Sequence, residues 1–244
     1  MLTSYRTTEN LLLASVPPSN YPTLFENLEL ISWDFQQVIY QPKQTIEYVY
    51  FPIKSVVTLG AVAADQSVIE IGLIGKESFV GLSLFLGMNQ ATHQTTVLVP
   101  EAACRLAKDV FLTEAMRPGA FREILLRQTQ ARLNHFAQNV ACKTHHTIDK
   151  QLARWLMSVY DRIEGNELFV TQPVIAKLLG VRRATITDSA IKLQNAGFIY
   201  YRRGKIIIID PVGLEAFACE CYQVVKSLYD FPRASEALPL TPTP

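Results

Sequence analysis

The stretch "TQPVIAKLLGVRRATITDSAIKLQNAGFIYYRRGKIIIID", from Thr171 to Asp210, leaves the chain few ways to fold. Ile175, Ala176, Leu178 and Leu179 recur at helical spacing, opened by Thr171 as N-cap and Pro173 in the first turn, and stopped by Gly180. Gly180 and Val181 make a tight turn. From Arg182 to Ala196 the helical pattern resumes, burying Ile186, Ala190 and Leu193 while Arg183, Thr187 and Asp188 face outward, until Gly197 ends it. "FIYYRRGKIIIID" then reads as a hairpin with Arg202-Arg203-Gly204-Lys205 at its tip.

Two helices held close by small Ala176, turned sharply at Gly180, wedged by Ile186 and followed by a basic hairpin make a winged helix-turn-helix. Charge points the same way. Residues 182–205 carry six basic residues against Asp188 alone, net +5, on a chain whose formal total is +1. A basic element on a weakly acidic body suits a polyanion read at one face, and double-stranded DNA is the expected partner. Arg183 is placed to take a guanine edge, with Asp188 accepting from a cytosine amino group or orienting Arg183. Thr171, Arg182, Thr185, Lys192, Arg202, Arg203 and Lys205 are expected at phosphate, and Gln172 and Thr187 complete the DNA-facing set. The competing reading is a cytosolic ligand-binding module that uses the winged helix for protein contacts.

Upstream the period changes. After short helical groups in residues 9–30, the runs "QVIYQ", "IEYVYFPI", "SVVTLGAV", "SVIEIGLIG" and "QTTVLVP" are β-branched and aromatic, divided by Pro42, Pro52, Gly75 and Pro100. They predict a jelly-roll or β-roll domain. The insertion "GKESFVGLSLFLGMNQATH" within it is either a ligand-closing element or a structural corner. Beyond Pro118-Gly119 a long helix is expected from Ala120 to Cys142, with Leu126, Thr129, Leu133, Phe136 and Val140 on one stripe. Arg122, Arg127, Gln128, Arg132, Asn134 and Gln138 are read as covering its other faces, so the stripe predicts a two-fold dimer seam. A second helix follows in "IDKQLARWLMSVYDRI", with Trp155 as a core anchor. The fold class is thus α+β: effector domain 1–117, dimerisation helix and hinge 118–146, winged helix-turn-helix domain 147–230, and a mobile tail 231–244.

The pieces "YVYFP", "IGLIGKESFVGLSLFLG", "KQLARWLMSVYDR", "LLGVRRATIT", "LQNAGFIYYRRGKIIIID" and "ACECY" together resemble the Crp/Fnr family of bacterial transcription regulators over roughly residues 10 to 225. The resemblance implies a homodimer on a palindromic operator, RNA polymerase as a partner, and a small-molecule effector in the β-roll at Gly81, Leu82, Ser83, His93, Gln94, Thr95 and Thr96. It also implies departures. Where cyclic-nucleotide-binding relatives carry a ribose-binding glutamate and a phosphate-binding arginine, this chain has Leu82 and His93, so cyclic AMP is not the expected ligand and the cofactor stays unknown. On the base-reading face, Ala184 and Asp188 replace a glutamate and a second arginine, so a different half-site is expected.

No metal is expected. The N-terminal cysteine cluster of iron-sulfur relatives is missing. Cys142, His145 and His146 have helical metal-ligand spacing but lie at the hinge, where polar residues solvate a junction, and Cys219 and Cys221 read as helix-packed thiols with no neighbouring base. The β domain offers no paired carboxylates and no nucleophile with a placed base, so no enzymatic activity is expected. With no run of about 18 apolar residues and no signal-like start, the reading is a cytoplasmic protein without membrane contact.

Overall fold

The computed structural model describes residues 9–230, and the expected mobile tail lies outside them. Two sheets form the amino-terminal domain. β2 (Val38–Tyr40), β6 (Gln94–Val99), β4 (Val56–Val62) and β5 (Val68–Ile74) make one, in that order, and β1 (Glu29–Ser32), β7 (Ala102–Ala107) and β3 (Tyr48–Pro52) the other, all antiparallel. Alternate residues turn inward: Val49 and Phe51 from β3, Val57 and Leu59 from β4, and Cys104 and Leu106 from β7 fill one core. Helices α1 (Leu11–Ala14) and α2 (Pro22–Glu26) close one end, and α3 (Leu82–Phe85) lies in the glycine-punctuated insertion. β7 escaped the sequence reading as a separate strand because "EAACRLAK" lacks the β-branched content that marks the other runs, and β1, "ELIS", because it straddles the end of the segment read as short helical groups.

A file of rings, Phe51 to Phe79 to Phe111 to Phe121 with centroids 5.8–6.0 Å apart, carries this core through α4 (Lys108–Met116) into the long helix α5 (Ala120–His145). α5 runs one turn beyond Cys142. Its buried face is not the apolar stripe but Phe121, Leu125, Gln128, Ala131, Arg132, His135, Asn139 and Cys142. Gln128 and Arg132, read as solvent cover, are instead 1% and 3% exposed. Gln128 Nε2 donates to the Glu77 carbonyl at 2.7 Å and Arg132 Nη2 to Ser78 Oγ at 2.7 Å, so the polar groups bury by pairing with the turn after β5. Leu126, Leu133 and Val140 stand 49%, 57% and 68% exposed, with Thr129 and Phe136 half-buried between them.

The carboxy-terminal domain comprises α6 (Ile148–Tyr160), β8 (Glu167–Phe169), α7 (Gln172–Leu179), α8 (Arg183–Asn195), β9 (Ile199–Arg202), β10 (Lys205–Ile208), α9 (Pro211–Phe217) and α10 (Cys221–Ser227). β8 adds to the hairpin to give a three-stranded sheet in the order β8-β10-β9. Trp155 is fully buried and does more than anchor a core: its indole donates at 2.7 Å to Glu70 on β5, tying α6 to the β domain. Burial pushes the Glu70 carboxyl above the usual carboxylate range, against the Trp155 hydrogen bond and the nearby cations Arg154, Lys143 and Arg162. Val56, Leu73 and Leu98 share a core with Leu152, Leu156 and Leu179, so the two domains are packed together.

Candidate nucleic-acid interface

Gly180 makes the turn between α7 and α8 possible. It sits at φ 74° and ψ 34°, with its N–H directed at the Lys177 carbonyl and that of Val181 at Ala176, closing α7 in a Schellman motif that L-residues adopt only with strain. Ile186 and Leu193 are fully buried and Ala190 nearly so, which fixes α8 by one face. Two hydrogen-bonded sets fix it further. Thr187 Oγ1 lies 2.7 Å from Gln172 Oε1, joining α8 to the start of α7. On α6, Asp149 accepts from Ser189 at 2.6 Å and Lys192 at 2.8 Å; burial opposes its ionisation, but these bonds outweigh it and hold the carboxyl below its usual range.

The opposite face is free. Arg182, Arg183, Ala184 and Asp188 are exposed, and Thr185 is half-buried. Arg182 occupies the N-cap position of α8 without a side-chain capping bond, and the first N–H groups of the helix carry no side-chain cap. Thr171 likewise holds the N-cap position of α7 without a side-chain bond to it. At the wing, Arg202 pairs with Lys205 across a two-residue turn in which Arg203 (φ 49°) and Gly204 (φ 79°) are both left-handed, the geometry of a type I′ hairpin. Arg202 and Arg203 are exposed at that tip.

The expected phosphate contacts therefore divide. Among the described residues Arg182, Arg183, Arg202 and Arg203 have no carboxylate within salt-bridge distance, whereas Lys192 is held by Asp149 and Lys205 by Glu167 Oε2 at 2.6 Å. The two lysines are occupied within the fold. Their partners, on α6 and on the unforeseen strand β8, are far in sequence and gave no local signal.

In the β domain, a cavity of about 220 Å³ brings together Gly81, Leu82, Ser83, His93 and Thr95. Gln94 and Thr96 are not among its lining residues. They point to the other face of β6, where Gln94 Nε2 donates to Thr96 Oγ1 at 3.0 Å, as the two-residue strand period requires. Sequence reasoning missed what α5 contributes: Thr129, Arg132, Leu133 and Phe136 line the cavity. Arg132 is 3% exposed, and its Nε has no hydrogen-bond partner among the described residues. Burial and the nearby Arg132 charge push the His93 imidazole below its ordinary range, so it faces the cavity neutral.

Residues 150–217 match the Crp-like helix-turn-helix domain family. They form a Crp-like helix-turn-helix domain. The chain around this domain has the fold of Crp/Fnr transcription regulators. FixK2 from Bradyrhizobium japonicum is 14% identical and superposes with a TM-score of 0.67, over 79% of this chain and 98% of that one. TTHB099, a CRP-family transcriptional regulator from Thermus thermophilus, is 13% identical with a TM-score of 0.64, over 77% and 96%. The c-di-GMP-responsive regulator CLP of Xanthomonas campestris is 16% identical with a TM-score of 0.57, over 83% and 97%. No curated protein matches the sequence. The matched residues include α8 and the wing, so the four exposed arginines lie within the Crp-like domain. No helix among the described residues is long and apolar enough to cross a membrane.

Proposed function

We propose that the chain is a homodimeric, sequence-specific transcription regulator that binds an imperfect palindrome with half-sites about one helical turn apart. The observation that carries this reading is the set of four exposed arginines at the start of α8 and on the wing, with no carboxylate within salt-bridge distance among the described residues, on a helix whose other face is buried and pinned. Arg183 reads a base edge; Arg182, Arg202, Arg203 and the N-cap Thr171 position the domain on phosphate. The exposed stripe of α5 from Leu126 to Val140 is the dimer seam, which sets the spacing of the two α8 helices. RNA polymerase is the expected partner of the DNA-bound dimer.

The β-domain cavity supports control by an effector other than cyclic AMP. Leu82 offers no acceptor for a ribose hydroxyl, while the unpartnered Arg132 Nε favours a small, largely apolar molecule with one acidic or carbonyl group. Thr129, Leu133 and Phe136 belong both to the cavity lining and to the seam, so an occupant that shifts α5 changes the dimer geometry. Selection from random duplexes tests the DNA reading. It predicts enrichment of a two-fold symmetric site whose affinity falls steeply with salt; a pool that stays unenriched, with salt-independent binding, supports the protein-contact alternative.

A further inference from the structure

Four side chains that the DNA-binding reading does not use meet at the junction of the two domains. Cys142 lies in the last turn of α5, His146 is its C-cap residue, Cys219 sits between α9 and α10, and Cys221 opens α10. Their ligand atoms, three Sγ and one imidazole nitrogen, all lie within 4.8 Å of one another. Cys142 Sγ is 3.5 Å from Cys219 Sγ, and Cys221 Sγ is 3.6 Å from His146 Nδ1. His145, which has equally good spacing in sequence, is exposed and outside the group.

We propose that Cys142, His146, Cys219 and Cys221 bind one zinc ion, which pins the end of the long helix to the end of the Crp-like domain. Tetrahedral zinc with Zn–S bonds of about 2.3 Å and Zn–N bonds of about 2.0–2.1 Å places its ligand atoms roughly 3.5–3.8 Å apart, the spacing found in both measured pairs. Three thiolates and an imidazole close all four positions, the pattern of a structural site. A multi-iron cluster distributes its thiolates over separate irons and needs a wider cradle.

The surroundings fit an ion as well as the ligands do. His146 Nε2 lies 3.1 Å from Glu220 Oε1, so the carboxylate fixes the tautomer that leaves Nδ1 free to bind metal, the usual second partner of a metal-bound histidine. Gln138 Nε2 donates to Cys221 Sγ at 3.0 Å, fixing the position of that sulfur. The three cysteines are at most 3% exposed and pack on each other apart from both main cores, while His146 and the exposed Glu220 keep one side open to solvent. Beside them, Arg154 is 3% exposed, and its Nε has no hydrogen-bond partner among the described residues. Three thiolates around a divalent ion carry net −1, which offsets that buried cation.

The site is independent of the DNA reading and is tested without DNA. The full chain, purified under reductant and stripped with a chelator, is titrated with cobalt(II) and separately reloaded with zinc. Saturation at one cobalt per chain, with a thiolate-to-cobalt charge-transfer band and tetrahedral d–d absorption, is expected. So is one zinc per chain after desalting. Cys219→Ser and Cys221→Ser should lose the charge-transfer intensity and the zinc, Glu220→Gln should weaken zinc about 10-fold, and Cys104→Ser, in the β-domain core, should change neither. Amide exchange around His146 and Cys219 should slow when zinc is added. Absence of a thiolate band in the wild-type chain overturns the proposal whatever the variants do. So does equal zinc retention by folded Cys219→Ser, or a Cys142–Cys219 disulfide formed in the presence of zinc.

Discussion

Leu133→Ala isolates the dimer seam from the fold. Leu133 is 57% exposed in the single chain, so little of it belongs to the protomer's own core and most of its side chain is left for a partner to cover. The substitution removes three carbons at about 0.8 kcal/mol per buried methylene. Scaling by the fraction still exposed gives about 1.4 kcal/mol per protomer, and two-fold symmetry doubles this to about 2.7 kcal/mol, or roughly a 100-fold weaker dimer. Sedimentation over a concentration series measures the dissociation constant, and the thermal midpoint measured on the monomer supplies the control. Leu125→Ala, one residue from Leu126 but fully buried against the β domain, should show the reverse, lowering the midpoint by several degrees with a much smaller effect on dimerisation. A dimer unchanged by Leu133→Ala, or a wild-type chain that stays monomeric, refutes the seam.

Acid should destabilise the chain through His135. Burial and the charges of Arg162, Arg154 and Arg132 hold this imidazole, bonded to Tyr229 Oη at 3.0 Å, well below its ordinary range. It is neutral in the fold, so below about pH 6.5 the unfolded chain takes up the extra proton; stability present above that pH falls by up to about 1.4 kcal/mol per unit. Denaturant titrations against pH should show that loss reduced in His135→Gln. Gly180→Ala should cost about 1–2 kcal/mol from its left-handed backbone, since an added Cβ would meet the Ile69 side chain at ordinary contact distance, 3.4 Å to Cδ1; calorimetry should show a midpoint about 2–8 °C lower. Arg203→Ala should lower affinity for all duplexes alike and reduce the salt slope by about 1, as read by anisotropy over a salt series.

The helix-turn-helix was legible because its determinants are local: Gly180 and Gly197 punctuate it, and Ile186, Ala190 and Leu193 lie on one helical face. The exposed stripe of α5 was legible for the same reason. Partners distant in sequence were not. Gln128 and Arg132 look like solvent cover until the Glu77–Phe79 turn supplies acceptors for them, and Lys192 and Lys205 look free until Asp149 and Glu167 arrive. The thiols of Cys142 and Cys219 stand 77 residues apart and meet only because α10 folds back on α5. Part of the cavity lining was hidden too, because Thr129, Arg132, Leu133 and Phe136 come from a helix assigned to dimerisation rather than from the β-roll.

The most direct test of the account compares wild type, Arg183→Ala and Arg203→Ala for binding to a selected operator and to a random duplex at several salt concentrations. Arg183→Ala should lose about 5- to 150-fold on the operator, equivalent to about 1–3 kcal/mol, and far less on random DNA, so that discrimination collapses while general affinity persists. Equal loss on both duplexes, or none on either, would mean that α8 does not read bases.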